Sequence, residues 1–241
     1  MTMHDLRFPA ESGQYRQARD RLLQAEIELR RHVEAVAAQR RALPLGGEVS
    51  QDYVFDEWDP RVGKVREVRL SELFEAGKDT LFVYSFMFKP GEQGLPLEVP
   101  CPLCTSIIDG IDGEVPHITQ RINFAVITKA PIEALSAHAR VRGWRDARLL
   151  SSSRNTYNLD YHAETRDEEQ FAMATVFVRR GDRVHHFWSS ELWLTFVPPE
   201  LGQDPRHVDF MWPLWSILDR TPDGRSETWR PQLDYGQRTD R

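Results

Sequence analysis

The stretch "TLFVYSFMF" (residues 80–88) is an almost unbroken run of apolar and aromatic side chains. It is shorter than a typical core helix, and the turn-forming segments "GKD" and "KPGEQG" flank it. A short apolar run rich in aromatic residues is typical of a strand that is buried on both faces of a sheet. We therefore take residues 80–88 as a central strand and build the fold around it.

A second buried strand is predicted at "INFAVITKA" (122–130), and the chain between the two strands contains a helix. A loop rich in Gly and Pro (89–100) comes first, and the helix starts near Cys101. The segment "CTSIIDGIDGEVPHITQ" (104–120) fits a helix that is interrupted along its length. Two buried strands joined by a crossover helix predict a parallel βαβ unit.

The residues Gly181 and Asp182 separate two further strand-like runs, "ATVFVRR" (174–180) and "RVHHFWSS" (183–190). This pattern predicts a tight antiparallel hairpin whose second strand lies at a sheet edge. Added to the parallel unit, it gives a mixed sheet that is covered on both faces. Three other short strands are predicted, at "DYVFD" (52–56), "KVREVRL" (64–70) and "RDARLLSSS" (145–153).

Two other helices are predicted. A short one covers "SELFEAGKD" (71–79) and is capped by Ser71. The second covers "PIEALSAHARVRG" (131–143), with Pro131 at its first position and Gly143 at its end.

Apolar residues near the N-terminus recur at spacings of three and four from Tyr15 to Val36, which predicts a long amphipathic helix. The segment "LPLGG" (43–47) ends this helix. The apolar stripe of the helix either packs against the rest of the same chain or pairs with the helix of a second copy in a homodimer. The predicted organisation is a tail and helix (1–47), an α/β domain (48–220) and a C-terminal extension (221–241).

Composition narrows the classes of function. The chain has 241 residues, 40% of them hydrophobic, and a formal net charge of −6, which argues against non-specific binding of nucleic acid. There is no apolar run long enough to span a membrane, and the N-terminus lacks an apolar signal core. We expect a cytoplasmic protein. No phosphate loop, dinucleotide fingerprint or haem motif is present, so no cofactor is predicted.

The only two cysteines, Cys101 and Cys104, lie in the motif "CPLC" just after the predicted central strand. Open α/β sheets place their sites at the carboxyl ends of such strands. A permanent disulfide is not expected in a reducing compartment, and so short a loop would gain little stability from one. The pair is therefore redox-active, metal-binding or incidental.

Redox chemistry gives each thiol a role. A free thiol has a pKa of about 8.5, and a position at a helix N-terminus can lower that pKa to about 7. Cys101 would be the nucleophile, and Cys104, one turn along the helix, would resolve the mixed disulfide. The partner would be a protein or small-molecule thiol or disulfide. Glu98 would oppose the Cys101 thiolate if it points at the sulfur.

Other residue types offer alternatives. A zinc site could combine both cysteines with either His185 or His186, but not with both, because adjacent strand residues point to opposite faces. His117 is expected to end a helix. The serines at 151–153 lack the motif of a serine hydrolase.

The C-terminal half of the chain is rich in tryptophan. These side chains would either pack in the core or form an apolar groove beside the thiols: Trp188, Trp193, Trp212, Trp215 and Trp229.

Taken together, several segments resemble the DUF899 family of thioredoxin-like proteins, from the N-terminal helix to the tail, over roughly residues 12–235. They are "LLQAEIELRRHVEAVAAQRRALP", "SELFEAGKDTLFVYSFMF", "CPLCTS", "VPHITQRINFAVITKAPIEAL" and "DPRHVDFMWPLWSILDRTPDGR". The resemblance implies a thioredoxin-like fold, a three-layer sandwich with a mixed central sheet and additions at both ends. It also implies a dithiol–disulfide oxidoreductase whose cysteine motif maps onto Cys101 and Cys104. The alternative is a non-catalytic binding module of the same fold, with vestigial or metal-coordinating thiols.

Two departures from related patterns stand out. Thioredoxins place a proline before the third core strand, opposite the cysteines, whereas here Met173, Ala174 or Thr175 would occupy that position. Without that proline, the sequence does not show how a disulfide substrate would dock against the cysteines. Neither cysteine fits the peroxiredoxin pattern P-x-x-x-T/S-x-x-C, so a peroxidase of that type is the less favoured interpretation.

Overall fold

The computed structural model describes residues 5–59, 62–88, 99–192 and 196–236. They form two compact units, Met1–Pro44 and Leu45–Arg241. The α-helices are α1 (Gly13–Arg41), α2 (Pro102–Ile111), α3 (Val115–Ile118), α4 (Ile132–Arg142), α5 (Tyr157–Asp160) and α6 (Pro213–Leu218). The strands are β1 (Val54–Asp59), β2 (Lys64–Arg69), β3 (Thr80–Ser85), β4 (Asn123–Thr128), β5 (Leu149–Ser151), β6 (Met173–Arg180) and β7 (Arg183–Ser189).

All seven strands join one sheet in the order β2-β1-β5-β4-β3-β6-β7. Strand β4 runs parallel to both β3 and β5, and the remaining pairs are antiparallel. The predicted mixed sheet, the parallel unit β3-α2-β4 and the hairpin β6-β7 are therefore confirmed. The central order β4-β3-β6-β7, with a helix after each of β3, β4 and β7, is that of a thioredoxin-like core. Strands β5, β1 and β2 extend the sheet beyond β4.

The central strands are buried on both faces, as their unbroken apolar runs predict. In β3, Tyr84 belongs to one core cluster, and Leu81 and Val83 belong to another. Because side chains alternate along a strand, each cluster fills one face of the sheet. Side chains of α2, α4 and α6 cover the first face, and Tyr157 of α5 with residues 70–74 covers the second. The sheet is thus the middle of three layers, as the sequence implies.

The N-terminal unit contains the predicted long helix. Helix α1 begins after Ser12, whose side-chain oxygen accepts a hydrogen bond from the backbone N–H of Tyr15 at 3.1 Å. Its apolar stripe is largely exposed: the relative accessibilities are 52% for Leu22, 63% for Leu29 and 58% for Val33. No helix in the described part of the chain combines the length and apolar character needed to cross a membrane.

Two predicted helix starts are wrong in detail. Residues 71–79 do not form a helix capped by Ser71; a 3-10 turn covers Leu70–Leu73 instead. Ser71 lies inside that turn and does not precede it, and Asp52 accepts hydrogen bonds from the Ser71 hydroxyl at 2.7 Å and from the Ser71 backbone N–H at 2.9 Å. Pro131 precedes α4 as its N-cap residue and is not its first helical residue. Gly143 ends α4 as expected, in the left-handed conformation at φ 80°.

Candidate functional site

Cys101 stands at the N-cap of α2, the first helix after β3. Its backbone N–H donates a hydrogen bond to the Met87 carbonyl at 3.1 Å, which attaches the start of the helix to the segment just past the central strand. Its sulfur accepts the backbone N–H of Cys104 at 3.4 Å. Pro102 is tolerated at the first helical position because no intrahelical bond is needed there. The predicted helix start is confirmed, and both thiols are free.

The half-buried Cys101 sulfur lies in surroundings that favour its thiolate. The thiol of Cys104 lowers the pKa of Cys101 to about 7, and backbone N–H groups of Cys104 and Leu103 act in the same direction. Burial opposes them and does not outweigh them. Hydrogen bonds to a charged sulfur stabilise it more than those to a neutral one, which is why the first turn of a helix suits a thiolate. A large fraction of Cys101 is therefore ionised at neutral pH.

Cys104 has the opposite character. It is 1% exposed, within the core cluster on the first face of the sheet. Burial raises the pKa of its thiol well above the usual range, and the neighbouring Cys101 adds to the rise. The hydroxyl of Tyr84, on β3, donates a hydrogen bond to its sulfur at 3.3 Å. The site thus pairs an accessible thiolate with a buried, protonated thiol.

The three residues that the sequence offers for the position of the thioredoxin proline all lie in β6, but their side chains are not equivalent. Of the three candidates, Ala174 lies in the same core cluster as Cys104, together with Ala172. Met173 belongs to a different cluster, because it points to the other face of the sheet. The Oγ1 of Thr175 accepts a hydrogen bond from Ser189. There is no cis peptide bond within the described ranges.

Two residues near the thiols are not predicted as site residues by the sequence. The apolar run contains Tyr84 as one strand residue among others, and alternation along β3 is the signal that could assign it to the helix-covered face. His138, on α4, has its Nε2 3.0 Å from the Oγ1 of Thr105, the residue after Cys104. Burial lowers the pKa of His138, and the nearby Arg142 adds to this, so a neutral imidazole is favoured. No sequence signal links His138 to the cysteine motif.

A groove of about 260 Å³ adjoins the motif at Leu103. Trp212 and Trp215 line it from the C-terminal part of the chain. Their rings pack at 5.1 Å, and the Trp212 Nε1–H donates a hydrogen bond to Ser106 of α2 at 3.0 Å. Both rings are buried, so the predicted packing role of this pair is confirmed. Charged side chains such as those of Asp209 and Arg225 line much of the rest of the groove, and neither cysteine lines it, so it is not the apolar groove that the tryptophans suggest.

Three more histidines make hydrogen bonds to residues other than the cysteines. His186 bonds Ser189 at 2.9 Å, and His185 lies next to Gly46. His117 falls in the last turn of α3, as expected. The buried His207 has its Nε2 3.2 Å from the Ala172 carbonyl, and burial lowers its pKa to about 4.

The serines at 151–153 do not form a nucleophilic site. The hydroxyls of Ser151 and Ser152 donate to the backbone carbonyls of Ala130 and Thr128. Within the described ranges, no group of three or more His, Cys, Asp or Glu side chains is arranged to hold a metal ion. Glu98 and Trp193 lie outside the described residues.

The fold and the two thiols define a thioredoxin-like protein with a cysteine pair at the start of its first core helix. The chain belongs to the DUF899 family: a family model described as a bacterial protein of unknown function matches residues 6–240. No curated protein matches the chain.

Solved structures with some similarity include peroxiredoxins. A peroxidoxin BcpB from Mycobacterium tuberculosis is 20% identical, over 70% of this chain and 94% of that one, with a TM-score of 0.42. A reduced 2-Cys peroxiredoxin from Plasmodium vivax is 16% identical, over 60% of this chain and 83% of that one, with a TM-score of 0.43. Such distant similarity does not transfer the activity of those proteins to this chain.

Proposed function

We propose that this protein is a dithiol–disulfide oxidoreductase in which Cys101 attacks a disulfide and Cys104 resolves the product. The observation that carries the proposal is the contrast between the two thiols. Cys101 is half-buried with a pKa lowered to about 7, whereas Cys104 is buried with a raised pKa. Thiol exchange needs one sulfur that is ionised and accessible and a second within reach of the first.

The reaction follows from this arrangement. The Cys101 thiolate attacks one sulfur of a substrate disulfide, forms a mixed disulfide and releases the other sulfur as a thiolate. Cys104 then attacks Cys101, so that the Cys101–Cys104 bond forms and the second substrate sulfur leaves. Two electrons pass from the protein to the substrate, and an external dithiol returns the protein to its reduced form. A cytoplasmic location, which the sequence predicts, suits this cycle because that compartment supplies reductant.

The test is to trap the mixed disulfide. In Cys104→Ser the first step still occurs and the second cannot, so proteins carrying a reactive disulfide should remain attached to Cys101 and be released by dithiothreitol. The matched control is Cys101→Ser, in which no attachment is expected because the nucleophile is missing. If Cys104→Ser captures neither proteins nor small-molecule disulfides, the exchange function is wrong, and a non-catalytic binding module becomes the better account.

A further inference from the structure

We propose that Tyr84 is the hydrogen-bond donor that stabilises Cys104 as a thiolate during the resolving step. This inference rests on the proposed exchange function and extends it to a third residue. It concerns the second step only, because the hydroxyl of Tyr84 contacts the sulfur of Cys104 and not that of Cys101.

Tyr84 is held in place by the centre of the sheet. It is fully buried in β3, with Val126 of β4 paired to it on one side and Ala174 of β6 on the other. Its hydroxyl donates to the Cys104 sulfur at 3.3 Å. A phenol hydroxyl in an apolar core is costly unless it has a partner, so this contact is part of the packed structure.

The hydroxyl acts as a donor and not as a base. Burial raises the pKa of Tyr84 well above its usual range, and the neighbouring Cys104 sulfur adds to the rise, so the phenol keeps its proton at neutral pH. Burial also raises the pKa of Cys104, while the hydrogen bond from Tyr84 acts in the opposite direction. The donor therefore offsets part of the burial penalty that Cys104 meets when it ionises.

The hydrogen bond gains strength as the reaction proceeds. A neutral thiol is a weak acceptor, whereas a thiolate is a charged acceptor and forms a stronger bond. Relative to the protonated thiol, the attacking sulfur carries partial negative charge in the transition state, so a fixed donor at that sulfur favours the step. The gain is smaller than the full strength of the hydrogen bond, because a thiolate of lower pKa is also less nucleophilic. Attack by Cys101 on the substrate gains nothing from this donor.

The resolving step balances without another reactant. Cys104 loses its proton, and the sulfur attacks the Cys101 sulfur of the mixed disulfide. The Cys101–Cys104 bond forms, and the bond between Cys101 and the substrate breaks. The substrate sulfur leaves with the electron pair as a thiolate, and the proton from Cys104 passes to it or to water. Tyr84 remains protonated throughout.

The test uses one equivalent of 5,5′-dithiobis(2-nitrobenzoic acid), an aromatic disulfide that releases one coloured thiolate in each of the two steps. In Tyr84→Phe we expect an unchanged first release and a second release that is slower by about threefold to tenfold, because the smaller thiolate fraction is partly offset by the higher nucleophilicity of a more basic sulfur. The pH at which the second release reaches half its maximum rate should move upward, which a merely loosened core would not cause.

The matched control is Tyr157→Phe. Tyr157 is another fully buried tyrosine, but it lies in the other core cluster. In the Tyr157→Phe variant, both releases of the coloured thiolate should keep wild-type rates. As a second variant, 3-fluorotyrosine at position 84 keeps the ring and donates more strongly, so it should speed the second release.

The role of Tyr84 would be overturned if both releases in Tyr84→Phe were unchanged, or if both were slowed equally. A slower second release with 3-fluorotyrosine at position 84 would also overturn it. If the unmodified protein gives no second release, the exchange function itself fails, and that outcome is distinct.

Discussion

Cys101 and Cys104 lie one helical turn apart, but their sulfurs have different surroundings. Cys101 ends a loop and receives a backbone N–H from its own helix, whereas Cys104 points into the core beneath it. The order of their pKa values follows from this difference in burial and hydrogen bonding. The same two residues in the middle of a helix would lack the free N–H groups that favour a thiolate.

Replacing Cys104 by alanine should make Cys101 less reactive at neutral pH. The Cys104 thiol is the largest cause of the lowered pKa of Cys101, so its loss raises that pKa from about 7 towards the ordinary value. Because a thiol with a pKa of about 8.5 is only a few per cent ionised at pH 7, alkylation by iodoacetamide at pH 7 should slow by about tenfold.

The measurement is the alkylation rate against pH. The control is Cys104→Ser, whose hydroxyl can still donate and should leave the midpoint closer to 7. An identical midpoint in the alanine variant and the unmodified protein would contradict the assigned cause.

At the scale of elements, residues 46–49 cover the outer edge of β7. The backbone N–H of Gly46 donates to the His186 carbonyl at 2.9 Å, the N–H of His186 donates to the Gly47 carbonyl at 3.0 Å, and the N–H of Val49 donates to Val184 at 2.8 Å. An uncovered edge strand offers unpaired backbone groups to other chains. This segment therefore protects the exposed edge of the hairpin β6-β7.

Gly46→Ala should loosen this cover, whereas Gly47→Ala should not. A β-carbon at Gly46 would lie 2.7 Å from the His186 carbonyl oxygen, closer than any normal contact, but one at Gly47 meets no atom within 4 Å. We expect the free energy of unfolding to fall by about 1–3 kcal/mol in Gly46→Ala and to change by less than about 0.5 kcal/mol in Gly47→Ala.

Thermal unfolding and hydrogen exchange at the His186 amide would measure both effects. Equal stability of the two variants would show that the close approach of Gly46 to β7 is not required.

For the whole molecule, the sequence leaves open what covers the stripe of α1. Leu22 and Leu29 are seven residues apart, so they lie on one face of the helix, and both are exposed. The homodimer remains a prediction: association through α1 would bury this stripe, and the mass in solution should be twice the 28.0 kDa of one chain.

Light scattering after size exclusion would test the dimer with two variants. Leu22→Glu combined with Leu29→Glu should give a monomer, because charges would then face the partner helix. Arg30→Glu, on the charged face, should leave the mass unchanged. A monomeric unmodified protein would rule the dimer out.

Most of the elements and the position of the cysteine pair follow from local sequence signals. The apolar run at 80–88, the Gly181–Asp182 turn and Pro102 after Cys101 act within a few residues of the structure that they specify. For that reason β3, the hairpin and the start of α2 could all be predicted. The predicted helix at 71–79 is wrong: the chain forms a 3-10 turn at Leu70–Leu73, in which Ser71 is bound through its backbone N–H and hydroxyl by a distant residue, Asp52.

The surroundings of the thiols depend on contacts between distant parts of the chain. The Tyr84 hydroxyl donates to the Cys104 sulfur, and His138 lies next to Thr105. The tertiary structure also inserts β5 between β1 and β4. Local periodicity shows which face of an element is apolar, but it does not show which other element covers that face. That choice depends on pairing between strands and helices far apart in the chain, and the chemistry of the two thiols depends on it.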